Sequence, residues 1–172
     1  MGQSGTKAEQ VNHGLRLFEI AIKIEQDFFM ISNSHPDQLR DDWLHRLSVL
    51  IENIQNWAVA IGWTTRKIEV TLSDSELGKY KAPALLLQED NLRVLLEPIA
   101  RSAPGAEGVV DLYLMPAYDD IASLYFYDNA WHVHYMFPRT PTVATIRDAE
   151  AKPLSLDVLR DVLEAMKENA VQ

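Results

Sequence analysis

The chain has 172 residues, 47% of them hydrophobic and 24% charged, with no cysteine and a formal net charge of −9. Length and composition are those of one ordinary globular domain with a core of its own, and the missing cysteine excludes a disulfide framework, thiolate metal sites and a cysteine nucleophile. The acidity, with no Lys/Arg cluster to override it, argues against nucleic acid and anionic membrane surfaces as partners.

No apolar run approaches the roughly 18 residues of a membrane span. Met1–Gln10 is polar and has no apolar signal-peptide core. A cytoplasmic protein with no membrane association is expected. The opening Met-Gly-Gln-Ser-Gly-Thr formally fits the N-myristoylation pattern, with Gly2 as acceptor and Thr6 in place. No basic patch follows to supply a second anchor, so the plainer reading is preferred, a flexible small-residue start. Residues 1–6 and 170–172 are expected to be flexible ends of a single domain spanning 1–172.

Residues 7–31 read as a helix. Val11, Leu15, Phe18, Ile22 and Phe29 form one stripe and Leu17, Ile20, Ile24, Phe28 and Ile31 a second. A helix apolar around so much of its circumference should be sandwiched between other elements or form a homodimer contact. Residues 36–61 read as a second helix, in which Leu39, Trp43, Leu47, Leu50, Ile54, Trp57 and Ile61 keep helical spacing. Ser34 suits its N-cap, Pro36 its first turn and Gly62 its C-cap. With only Ser32–His35 between them, the two helices are expected to be antiparallel neighbours. Trp43 and Trp57 are read as packing residues of the stripe.

The period then changes from helical to two. Lys67–Leu72 alternates as a half-buried strand does, and Ser73–Pro83 reads as a loop. Ala84–Gln88 and Leu92–Glu97 flank Asp90-Asn91, a pair able to adopt a type I′ hairpin turn. That turn puts Leu85 and Leu87 on one face with Leu92, Val94 and Leu96. After a loop over Ile99–Gly108, Val109–Met115 reads as a strand with Val110, Leu112 and Leu114 inward. Ile121–Tyr127 and Trp131–Phe137 form a second hairpin. A two-residue turn there unites Leu124 and Phe126 with Val133 and Tyr135, and this register is preferred because register follows the buried face. Pro138–Pro153 is irregular, with a short strand at Val143–Ile146. Ser155 caps a final helix through about Asn169, with Val158, Leu159, Val162, Leu163 and Met166 as its apolar side. The expected class is therefore α+β: an N-terminal antiparallel helical hairpin packed on an antiparallel meander of five to six strands, with a C-terminal helix.

There is no phosphate-binding glycine loop, no G-x-S-x-G elbow and no H-E-x-x-H. Among paired carboxylates, Asp41-Asp42 lies on a helix, where neighbours diverge by about 100°. Asp119-Asp120 lies in a loop, where turn chemistry explains aspartate. His132-Val133-His134 places two imidazoles on one side of a strand. Two metal ligands at this spacing are conceivable, with Asp111, Asp119 or Asp120 as a third. The plainer reading is a pair of histidines hydrogen-bonded to Tyr125 and Tyr127 opposite, and no cofactor is expected.

The second sheet face carries Leu86, Leu95, Tyr113, Met115, Tyr125, Tyr127, His132, His134 and Met136. That is too apolar and aromatic for a solvated face, so something should cover it. The C-terminal helix is the first candidate, a partner the second. The expectation is a non-catalytic protein-binding or regulatory module acting through Tyr113, Tyr125, Tyr127, His132, His134 and Met136, with a protein partner of basic character steered by the acidic charge. A small-molecule or metal-dependent site around His132–His134 is the alternative.

Overall fold

The structure, a computed structural model, describes the backbone of residues 7–135 and 151–170; within the first helix, side chains are described at 16, 18–26 and 35–60. Packing divides the chain into two compact units, Met1–Arg40 and Asp41–Gln172.

Both expected N-terminal helical segments form, but the turn between them does not. Residues 32–35 continue the helix, so α1 spans Lys7–Ala60 with Pro36 inside it. The connecting Ser-Asn-Ser-His contains no glycine to adopt a left-handed turn. A proline inside a helix loses the bond of its own N–H and crowds the carbonyl four residues earlier, yet α1 runs through Pro36. In the first unit Phe18, Ile20, Ile22 and Ile24 are exposed.

In the second unit, Trp43, Leu47, Leu50, Ile51, Ile54 and Ala58 of α1 are buried. They keep the spacing of one helix face. Trp57, expected in that stripe, is only partly buried. The end of α1 is a Schellman motif: Trp63 N–H donates to Ala58 O (2.9 Å) and Gly62 N–H to Val59 O (3.1 Å), with Gly62 at φ 94°. Trp63 and Ala58, the residues flanking this motif, are both buried in the core.

A seven-stranded sheet follows, every strand paired antiparallel with its neighbours in sequence order. Its strands are β1 (Thr64–Asp74), β2 (Gly78–Glu89), β3 (Leu92–Ala100), β4 (Val109–Met115), β5 (Asp119–Tyr127), β6 (Ala130–His134) and β7 (Lys152–Pro153). Strand β7 was not foreseen, and the strand expected at Val143–Ile146 lies outside the described residues. The loop expected over Ser73–Pro83 is instead a long hairpin. Asp74 Oδ1 accepts the amides of Glu76 (2.8 Å) and Leu77 (3.1 Å), Gly78 takes φ 68°, and pairing runs from Asp74↔Gly78 to Thr64↔Gln88. Pro83 fits within β2 because the ladder with β3 stops at Leu85, leaving a free edge where a missing N–H costs nothing.

The second hairpin takes the two-residue turn. Asp128 and Asn129 adopt φ 50° and 57°, and Phe126↔Trp131 and Leu124↔Val133 are partners. A type I′ turn needs positive φ at both central residues, which Asp and Asn tolerate. The C-terminal helix α2 (Leu156–Ala170) is capped by Ser155, whose Oγ accepts the Val158 amide at 3.2 Å.

Leu85, Leu87, Val94, Leu96, Val110, Leu112, Leu124 and Val133 of the sheet form one core with the buried residues of α1 and with Leu159, Val162, Leu163 and Met166 of α2. Each such side chain contributes about 1.5–3 kcal/mol on full burial. Asp120 Oδ1 and Oδ2 accept Tyr135 Oη–H and Asn169 Nδ2–H, both at 2.8 Å, and Lys167 pairs with Glu89. These contacts seat α2 on the same face as α1.

Candidate functional site on the outer sheet face

Alternation along each strand sends the neighbours of the core residues to the other face, and the register arranges them in transverse rows. One row reads Arg66, Leu86, Leu95, Tyr113. A second reads Glu97, Asp111, Ser123, His134. A third reads Val109, Tyr125, His132. Arg66 and Arg93 also stand on this face, and on β3 Arg93 and Glu97 lie on either side of Leu95, the partner of Tyr113.

Asp111 is the centre of the second row. Its Oδ1 accepts Ser123 Oγ–H at 2.7 Å and its Oδ2 accepts Tyr113 Oη–H at 3.1 Å. Burial, then the negative charge of Asp111 and its hydrogen bond, then Glu97, push the Tyr113 phenol well above its ordinary range. Tyr113 therefore stays a neutral donor. Tyr118, in the turn before β5, sets its ring edge-on to Tyr113 at 5.9 Å.

The histidines pack on tyrosines through their rings rather than by the expected hydrogen bonds. His132 stacks on Tyr127 with centroids 3.8 Å apart and planes 10° apart. His134 meets Tyr125 edge-on at 5.0 Å. Burial, then the neighbouring His132, lower the His134 pKa, so it is neutral at pH 7. His132 Nδ1 is buried without a hydrogen-bond partner among the described residues.

The row Asp111, Ser123, His134 contains the residue types of a nucleophilic triad, but its bonding is wrong for one. The single Ser123 proton goes to Asp111, not to an imidazole, so no base is positioned to activate that hydroxyl. The metal reading finds little support either. Among the described residues no group of three or more His, Cys, Asp or Glu is placed to hold a metal ion. Asp111 is engaged as above, Asp119 is exposed, and Asp120 points into the core contacts of α2. What the arrangement offers is the negative charge of Glu97 and Asp111 beside tyrosine rings, Asp111 already accepting one hydrogen bond on each oxygen, a combination whose charge and ring faces suit a guanidinium or ammonium group.

Tyr113, Tyr125, Tyr127, His132 and His134 are thus brought to one face, each partly exposed; Met136 lies outside the described residues. The C-terminal helix does not cover them, because α2 packs with α1 residues 41–60 on the other side of the sheet. Reading the sequence for this face passed over Glu97, Ser123 and Tyr118. Alternation would have placed Ser123 with Tyr125, and Glu97 with Leu95, on the same side. A separate groove of about 480 Å³ lies between α1 and the second hairpin, lined by His45, Arg46, Val49, Phe126, Asn129 and Trp131 among others. There Arg46 lies over the Phe126 ring at 4.3 Å and donates to Glu107 O at 2.5 Å, so its charge is already used.

No family model, curated protein or solved structure matches this chain.

Proposed function

We propose that this chain is a non-catalytic protein-binding module whose outer sheet face takes a basic segment of a partner protein. The observation that carries the reading is the adjacency of Glu97 and Asp111 to Tyr113 and Tyr125, with Tyr127 further along the same strand, on the face opposite α1 residues 41–60 and α2. Tyrosine offers large contact area at small entropic cost. A lysine or arginine chain can set its stem on the rings and its charge against the carboxylates. The net charge of −9 would speed the encounter with such a partner.

The test is a titration of the isotopically labelled protein with a short arginine-rich peptide and a matched glutamate-rich one, followed by amide chemical shifts at two salt concentrations. The expected result is movement confined to β3–β6 with the basic peptide, weaker at high salt. The double substitution Tyr127→Ser with His132→Ser should abolish it in a folded protein. Equal response to both peptides would refute the charge-based reading, and unfolding of the variant would assign the face to the core.

A further inference from the structure

Strand β1 is the edge of the sheet, and among the described residues no strand pairs with its outer side. It runs for 11 residues, Thr64–Asp74, all of them partly or fully exposed. A long edge of this kind presents a row of unpaired N–H and C=O groups, and proteins guard such edges with charges. The charges on β1 are arranged to do the opposite for one particular partner.

We propose that β1 pairs antiparallel with β1 of a second copy of this chain, about a two-fold axis through Ile68. In that register Lys67 faces Glu69 of the other copy, and by symmetry Glu69 faces its Lys67. Thr65 falls opposite Thr71, Arg66 opposite Val70, and Thr64 opposite Leu72. Opposite charges and Thr–Thr pairs are favourable cross-strand neighbours. Neighbouring registers are worse. An axis at Glu69 sets Glu69 against itself, and one at Lys67 sets two lysines together. An axis at Val70 sets Arg66 against Asp74, whose carboxylate is already held by Arg101 and by the amides of Glu76 and Leu77. Among the described residues Glu69 also pairs with Lys81, at 3.8 Å and with both side chains largely exposed, a contact that solvent screens. The charges that would repel an arbitrary strand therefore select this register. The interface is isologous, as a two-fold dimer requires, and it places the outer faces of the two sheets on the same side.

Light scattering after size exclusion on the full chain should show a dimer that dissociates on dilution. Lys67→Glu, which sets like charges together at both symmetric positions, should raise the dimer Kd by about tenfold. The exchange Lys67→Glu with Glu69→Lys should restore it. Because the chain lacks cysteine, Ile68→Cys should cross-link into a disulfide dimer under mild oxidation. Val70→Cys should not, since its two copies would stand about 13 Å apart. A monomer at every concentration overturns the proposal. So does a dimer indifferent to Lys67→Glu, which would place the contact elsewhere, and so does cross-linking through Val70→Cys in preference to Ile68→Cys.

Discussion

Gly108 lies directly against the Trp43 ring: a Cβ built on it would stand 2.7 Å from Trp43 Cζ3 and 3.2 Å from Trp131 Cη2. Trp43 is among the largest fully buried side chains of the protein, so its ring has no room to retreat. Gly108→Ala is expected to cost about 1–3 kcal/mol by overpacking. Trp43→Ala should cost about 3–5 kcal/mol by leaving a cavity. Combining the two should cost less than their sum, because the indole that the new methyl would strike is gone. Urea unfolding of the three variants measures this, and strict additivity would show that the contact is not the cause.

The helix end gives a second test. Gly62 and Gly78 both take positive φ, and a Cβ added at either would meet no heavy atom within 4 Å, so the backbone alone decides the cost. Gly62→Ala and Gly78→Ala should each destabilise by about 1–2 kcal/mol. Left-handed geometry at both positions leaves no basis for ranking one above the other. Thermal unfolding at matched conditions compares them.

Asp120 joins β5 to Tyr135 and to α2. Asp120→Ala leaves the Tyr135 hydroxyl and the Asn169 amide without their acceptor and should cost about 1–3 kcal/mol. Tyr135→Phe and Asn169→Ala each remove one arm and should cost less. A double-mutant cycle between Asp120→Ala and Tyr135→Phe should show coupling; a coupling of zero would mean that the hydroxyl contributes nothing.

Two groups should make stability fall with acid in separate windows. The depressed pKa of His134 means that the unfolded chain binds its proton first. Its contribution is present above the ordinary histidine value of 6.5 and is lost as pH falls below it. Asp74 is raised by burial, but the amides of Glu76 and Leu77 and the Arg101 guanidinium outweigh this and hold it below 3.8. Its contribution is present above that value and lost as pH falls through the lowered one. His134→Gln should flatten the stability profile below about pH 6.5, and Asp74→Asn the profile below about pH 4. Chemical denaturation across pH reads both, and unchanged slopes would remove the linkage.

The sequence by itself determined the elements whose evidence is local. The stripe from Trp43 to Ile54, the Gly62 terminus, the Ser155 cap and the two Asp-Asn turns all rest on patterns within a few residues and stand in place in the structure, although at the first turn only Asp90 takes a positive φ, so it is not type I′. Even the register of the second hairpin was legible, since a one-residue slip would have turned Leu124 and Val133 to the wrong face. What the tertiary structure decided depends on distant groups. Asp74 makes its turn through the nearby amides of Glu76 and Leu77, and what the tertiary structure adds is Arg101, far along the chain, on its other oxygen. Gly108 is required by an indole on another element. The side taken by α2 could not be read from its apolar stripe, because both sheet faces are apolar enough to receive it. The choice went to the face where Asp120 and Glu89 meet Asn169 and Lys167, and that choice leaves the tyrosines and histidines on the face opposite α2, each partly exposed.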